Sequence, residues 1–271
     1  MIENKSLQKI CASLRTRIIQ LTHQTGNKGA HVGGALSLVE LLAVLYHDVL
    51  NFDIKKPYQI SRDRFILSKG HSALGLFAAL ESVGFISESA LNQFEENGCQ
   101  FYAHAHRDIK KGIEFSGGSL SLGISFAVGV ALSCARNNLG NHIYVLVGDG
   151  ECDEGLVWEA LMSASQFGLN NLTVIVDDNG CQSDGYADEI MDKSNLDDRF
   201  NAFGFNVTKI DGHNYQNIRQ AIASKSISKP NAIIAKTIKG KGVSFMENNP
   251  DWHHGSLSRE QFQQAISELS K

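Results

Sequence analysis

Proline is scarce in this chain, with 3 residues in 271. No Pro- or Ser-rich stretch divides it, and no internal repeat or low-complexity tract stands out. The expectation is therefore a single domain over residues 1–271. Cysteine offers no framework either. Cys11, Cys99, Cys134, Cys152 and Cys181 are odd in number and widely spaced, with no Cys-x-x-Cys among them. That argues against a disulfide scaffold or a structural zinc site and fits a reducing cytoplasm. No apolar run approaches the roughly 20 residues of a membrane span. The longest, around Gly117–Ala135, is broken by Gly and Ser and reads as a buried helix. Met1–Ser6 is polar and lacks a signal-type apolar region. Neither charge sign dominates: the formal net charge is −4. That argues against nucleic acid as the main partner, and nothing points to a membrane.

What remains is a globular composition, 42% hydrophobic and 20% charged, with 25 Gly and 10 His. Disorder, collagen and coiled coil are excluded. Apolar spacing predicts helices over Leu7–Thr22, Ser37–Asn51, Ala73–Val83, Ser119–Arg136 and Leu156–Phe167. Gly98–Gly118 reads as loop. Arg64–Leu67 is a short strand ahead of Ser68-Lys69-Gly70-His71. His142–Val147 and Leu172–Val176 are uninterrupted β-branched runs with a helix between them, which is the pattern of a βαβ unit in a buried parallel sheet. Asn206–Ile210, Tyr215–Ala223 and Ala232–Thr237 add a strand, a helix and a strand. The expected fold is α/β, a doubly wound, mostly parallel sheet with helices on both faces.

Ligands gather beyond the carboxyl ends of such strands. Asp149 follows one predicted strand and Asn179 the next, so a βαβ unit brings the two to the same edge. A carboxylate and an amide oxygen are hard donors suited to Mg²⁺, or to Ca²⁺. Gly148 and Gly150 let backbone approach a bound group, and the helix opening after Gly150 can face phosphate oxygens. Gly-Asp-Gly alone is a common turn. Its pairing with Asn179 makes the reading specific: a divalent metal bridging the protein to a diphosphate.

Gly148-Asp149-Gly150-Glu151-Cys152-Asp153-Glu154-Gly155, followed by Trp158-Glu159-Ala160 and Asp178-Asn179, resembles the thiamine diphosphate motif of the transketolase family. The resemblance runs through the chain in order. It includes Gly29-Ala30-His31-Val32-Gly33-Gly34, Ser68-Lys69-Gly70-His71, the Gly112–Leu120 segment, Asp211-Gly212-His213-Asn214 and Thr237-Ile238-Lys239-Gly240-Lys241-Gly242. It implies that Asp149, Asn179 and the backbone carbonyl of Cys181 bind Mg²⁺. His71, Gly148 and Gly150 would meet the diphosphate, and Gly118 and Leu120 the aminopyrimidine. His31, His104 and His254 would line the substrate channel, where an imidazole can donate to a carbonyl or move a proton. Glu154 matches a family acid at the subunit contact. His106 competes with His104, and His253 with His254. Spacing from Gly112 and the following Gly255 favour His104 and His254. His213 reads as fixing a turn, Cys152 as packing, and Lys239 and Lys241 as either anion-binding or solvated.

The pattern is not followed everywhere. Val32 replaces a family Pro, Leu120-Ser121-Leu122-Gly123 replaces Leu-Gly-Gln-Gly, and Ser183 stands where an apolar residue would face the thiazolium region. Nothing matches the family's second domain, which holds the aminopyrimidine and supplies the catalytic glutamate. The expectation is thus the N-terminal subunit of a split transketolase. It would transfer a two-carbon ketol unit from a ketose, free or phosphorylated, to an aldehyde. A separate C-terminal subunit would complete an α2β2 assembly. Two alternatives remain: the α subunit of a 2-oxoacid decarboxylase or acyloin-forming complex, and a non-catalytic cofactor-binding relic. His31, Ser68–His71 and the Lys239–Gly242 stretch favour transketolase over the first. The intact Asp149 and Asn179 pair argues against the second.

Overall fold

The computed structural model describes residues 2–270. Five strands form one sheet: β1 (Arg64–Leu67), β2 (Ile143–Gly148), β3 (Leu172–Asp178), β4 (Asn206–Asp211) and β5 (Asn231–Lys236). Their spatial order is β1-β2-β3-β5-β4, and every pairing is parallel. Helices cover both faces, so the central strands are buried on each side. Alternate residues of β2 and β3 feed two separate apolar clusters. Tyr144, Leu146 and Ile175 pack on one face with helix Asn4–Gln24 and helix Ala73–Ser82. Val145, Val147, Val174 and Val176 pack on the other with helix Leu122–Arg136 and helix Gly155–Gln166. The period of two is invisible in the sequence because both phases are apolar. The edge strand β4 shows only partial burial.

The predicted strands all form, each within two residues of its expected ends. Two helical expectations need correction. The stretch expected as one helix over Ser37–Asn51 forms only a helix at Val39–Val44 and a π-turn at Leu45–Val49, with a separate short helix at Gly33–Leu36 ahead of it. Residues 38–45 are buried all round, so the apolar run hides the break. The helix expected from Ser119 begins at Leu122, because Ser121 takes a left-handed φ of 68°. Helix Arg259–Leu269 was not anticipated. Its start carries a capping box, with Ser258 Oγ accepting from the Gln261 N–H and the Gln261 side chain returning the bond. The Gly98–Gly118 loop contains only a 3-10 turn at Ile109–Lys111. All five cysteines are buried and free.

One buried polar cluster ties the first helix to the sheet. The Glu40 carboxylate accepts from Arg15 at 2.7 Å and from His213 Nδ1 at 2.9 Å. His213 Nε2 in turn accepts from the Ile238 N–H at 2.9 Å, which leaves its proton on Nδ1. His213 is therefore a clamp between the end of β4 and the chain after β5. Burial opposes ionisation of Glu40, but the bond from His213 and the Arg15 charge hold its carboxyl below its ordinary 4.5. Its contribution is complete above that value and lost as pH falls through the depressed one. Glu40→Ala leaves a buried guanidinium unpaired and should cost about 3–5 kcal/mol in urea unfolding at neutral pH. The variant should also lose part of the wild type's acid sensitivity. A loss under about 1 kcal/mol would contradict this account.

Candidate active site

The carboxyl ends of the strands meet at one edge of the sheet. Gly148 pairs with Asp177 across β2 and β3, so the residues that follow them emerge side by side. Asp149 accepts from the Gly150 N–H at 2.8 Å through Oδ1 and from the Gly180 N–H at 2.7 Å through Oδ2. The second bond fastens the turn after β2 to the turn after β3. Asn179 Oδ1 accepts from the Cys181 N–H at 3.1 Å, and its Nδ2 donates to Asp177 at 2.8 Å. The amide is thereby oriented with its nitrogen toward the protein. Asp149, Asn179 and Cys181 stand together at this edge.

Beneath them lie two buried carboxylates that sequence reasoning passed over. Asp177 is fully buried. It accepts from Lys69 Nζ at 2.5 Å, from Ser37 Oγ at 2.8 Å, from Asn179 and from Thr237 Oγ1. Burial would push this carboxyl up, but the Lys69 ammonium and the bonds from Lys69, Thr237 and Asn179 hold it down. One side chain thus joins the end of β1, the turn at Ser37, the end of β3 and the chain after β5. Glu151 does the same for the other half. It accepts from Ser68 Oγ at 2.5 Å, the Ser121 N–H at 2.7 Å and the Gly148 N–H at 3.0 Å. Ser121 therefore takes its left-handed turn with its N–H on Glu151. The signal in the sequence was the charge of Lys69 and Asp177 inside otherwise buried motifs, which demands partners.

The loop before helix Leu122–Arg136 is drawn in by backbone contact. A Cβ on Gly70 would lie 2.8 Å from the Gly117 Cα, and one on Gly117 would lie 2.7 Å from the Gly70 Cα. Only glycine at both positions lets these loops touch.

The edge encloses a cavity of about 250 Å³, lined by His31, His71, His104, Gly118, Leu120, Gly148, Asp149, Gly150, Asn179, Cys181, Ser183, Lys239 and His253, among others. His31 is the centre of an imidazole cluster. Its ring centroid lies 5.5 Å from His71, 5.6 Å from His104, 5.4 Å from His253 and 4.6 Å from His254. Burial, then the neighbouring His254 and His104, hold the His31 imidazolium down to about 4, so the ring is neutral at pH 7. Its Nδ1 is buried without a protein partner. His71 is pushed down by burial and Lys69. His106 lies outside the cavity, exposed against Tyr102 at 5.4 Å. His254 is exposed and meets His31 from the rim, whereas His253 lines the cavity itself. Glu154 is exposed and does not line the cavity. Lys239 is not solvated: it is 1% exposed, with Nζ turned to the Cys181 and Gln182 carbonyls and to His253.

A family model for the thiamine diphosphate binding domain of transketolase matches residues 8–270. The chain belongs to the transketolase family. It is 37% identical to one of the subunits of an apulose-4-phosphate transketolase from Phocaeicola vulgatus, covering 95% of this chain and 91% of that protein. It is 41% identical to the 6-deoxy-6-sulfo-D-fructose transketolase subunit SqwG from a Clostridium species, covering 89% and 88%. Human transketolase is 32% identical over 98% of this chain but 42% of its own length. The solved transketolase from Campylobacter jejuni superposes with a TM-score of 0.92 at 29% identity, over 99% of this chain and 43% of that one. The chain thus spans about two-fifths of these larger transketolases and nearly all of the relatives named as single subunits. It is the N-terminal subunit of a split, thiamine diphosphate-dependent transferase of the transketolase type.

The residues present fit the cofactor of this family. Burial, then the charge of Asp177, pushes the Asp149 carboxyl up to about 6, and no cation pairs directly with it among the described residues. A hard cation at this edge would favour the ionised form. Among the described residues no group of three or more His, Cys, Asp or Glu converges on a metal point. The donors are instead a carboxylate, an amide and carbonyls, which suits a hard ion and not zinc. Asp177 decides how well these donors are held. Asp177→Asn strips Lys69 of its counter-charge and Asn179 of a charged acceptor. Urea unfolding should show a loss of about 3–5 kcal/mol. A variant as stable as wild type would show that the Lys69 pair does not organise this edge.

Proposed function

We propose that this subunit binds Mg²⁺ through Asp149, Asn179 and the Cys181 carbonyl, and through it the diphosphate of thiamine diphosphate. The observation that carries the reading is the Asp149 and Asn179 junction, set in the same cavity as the histidine cluster. His71, Gly148 and Gly150 stand at the diphosphate. Gly118 and Leu120 face the aminopyrimidine side. His31, His104 and His254 face the substrate. Glu154, exposed beyond the cavity, is free to form a contact between subunits. Bound thiamine diphosphate supplies the carbon that takes up a ketol unit and stabilises its negative charge. The chain supplies orientation and neutral imidazoles. A ring that is neutral at pH 7, as His31 is, can donate a hydrogen bond at one nitrogen and accept at the other. That suits a hydroxyl or carbonyl oxygen of a sugar, which is uncharged before reaction.

The reaction we assign is transfer of a two-carbon ketol unit from a ketose, free or phosphorylated, to an aldehyde. Two relatives are named for apulose-4-phosphate and 6-deoxy-6-sulfo-D-fructose, so a ketose phosphate and a sulfonated ketose are both trial donors. A separate polypeptide holds the aminopyrimidine and carries the catalytic glutamate, and two copies of each form the enzyme in the cytoplasm. Among the described residues no helix is long and apolar enough to cross a membrane.

Assaying the purified chain alone and mixed with its partner subunit tests this reading. Turnover should require the mixture, and robust turnover by the chain alone would contradict it. In the mixture, His104→Ala should lower kcat on the order of 100-fold, the low end for a proton-handling group, with cofactor affinity retained. His106→Ala should stay within about twofold of wild type, because His106 lies outside the cavity.

A further inference from the structure

Among the described residues, Glu95, Ser121, Asn138 and Asn248 are the non-glycines that take a left-handed φ. Asparagine visits this region readily. Ser121 turns there with its N–H on Glu151. Glu95 does so at 61° with no intrinsic preference for it. Such a conformation persists only where the surroundings over-determine it, and the bonds around Glu95 do. Its N–H donates to the Phe101 carbonyl at 3.1 Å. Its carbonyl accepts from Lys28 Nζ at 2.7 Å. Its carboxylate Oε1 accepts from the Ala103 N–H.

These bonds converge on two of the histidines assigned above to the substrate. Ala103 directly precedes His104, and Lys28 ends a 3-10 turn shortly before His31. His104 lies outside helix and strand. Among the described residues no hydrogen bond holds its ring, which meets the His31 ring at 5.6 Å. Its place in the cavity is therefore set by its backbone. On one side the Ala105 carbonyl accepts from the Gly117 N–H at 3.0 Å. On the other side the hold is the Glu95 carboxylate on Ala103. A bond from an N–H to a carboxylate is stronger than one between neutral groups. Phe101, buried against Phe77, anchors the chain between Glu95 and Ala103.

We propose that Glu95 is a positioning residue for the reaction, setting His104 against His31 by holding the Ala103 N–H. This rests on the reading of His104 as a substrate-facing group. The test uses the chain assembled with its partner subunit and assayed with a ketose phosphate. Glu95→Gly, which keeps the left-handed turn without strain, should lower kcat about 10-fold through misplacement of His104. The affinity of the chain for thiamine diphosphate should stay within about twofold, since the cofactor residues are untouched. Glu95→Gln, whose amide oxygen still accepts, should restore kcat to within about threefold. In a His104→Ala enzyme the same Glu95→Gly change should cost less than about twofold, because both act through one imidazole. A full further loss in that background, or an equal loss of cofactor affinity, would mark a merely structural role and overturn the proposal. A His104→Ala enzyme as active as wild type would overturn the reading of His104, and this inference with it. Amide hydrogen exchange on the wild-type chain requires no variant to fold. The Ala103 N–H should be protected, and exchange at the rate of an open loop would contradict its bond to Glu95.

Discussion

The Lys69 and Asp177 ion pair is the constraint on which the site depends. Both side chains are almost wholly buried, at 2% and 0% exposure. Removing two charges from water is costly, and such a pair is not by itself a source of stability. Its value here is positional. Asp177 has four donors from four segments of chain, and each of them ends at the edge where Asp149 and Asn179 stand. Satisfying that carboxylate forces the end of β1, the Ser37 turn, the end of β3 and the start of the chain after β5 into one arrangement. Asn179 is oriented as a by-product, since its amide nitrogen is one of the four donors.

Glu151 performs a parallel task on the other side of Asp149. It binds Ser68, Gly148 and Ser121, so the loop that carries Gly118 and Leu120 is set relative to β2. The two carboxylates divide the work. One fixes Asn179 and the turn after β3, and the other fixes the backbone around the remaining cavity wall. Asp149, between them, accepts from two backbone N–H groups and forms no direct ion pair among the described residues, with Lys239 the nearby ammonium. The histidine cluster then lines the space in front, with His31 at its centre.

Much of this was legible in the sequence, and the limits have physical causes. The strands were readable because parallel strands buried on both faces are continuous apolar runs ending in polar turns. The Asp149 and Asn179 pairing followed from βαβ topology alone. Spacing favours His104 over His106; His104, half-buried, lines the cavity, and His106 is exposed outside it. Asp177 and Glu151 were missed because each sits beside a residue with a more obvious role, and hydrogen bonds across the sheet leave no trace in local spacing. Lys239 could not be placed, since nothing in its neighbours announces burial. The broken helix around Ser37 was hidden by uniform hydrophobicity, yet the break delivers Ser37 to Asp177. The helix at Arg259 is announced by the capping box of Ser258 and Gln261.

The central claim is that the Asp149 and Asn179 edge is a cation-dependent diphosphate site. Calorimetric titration of the full chain with thiamine diphosphate, with and without Mg²⁺, addresses it most directly, for the wild type and for Asp149→Asn. Saturable binding that requires the cation and vanishes in the variant is the predicted result. Binding of equal strength without Mg²⁺, or an affinity untouched by the substitution, would contradict it.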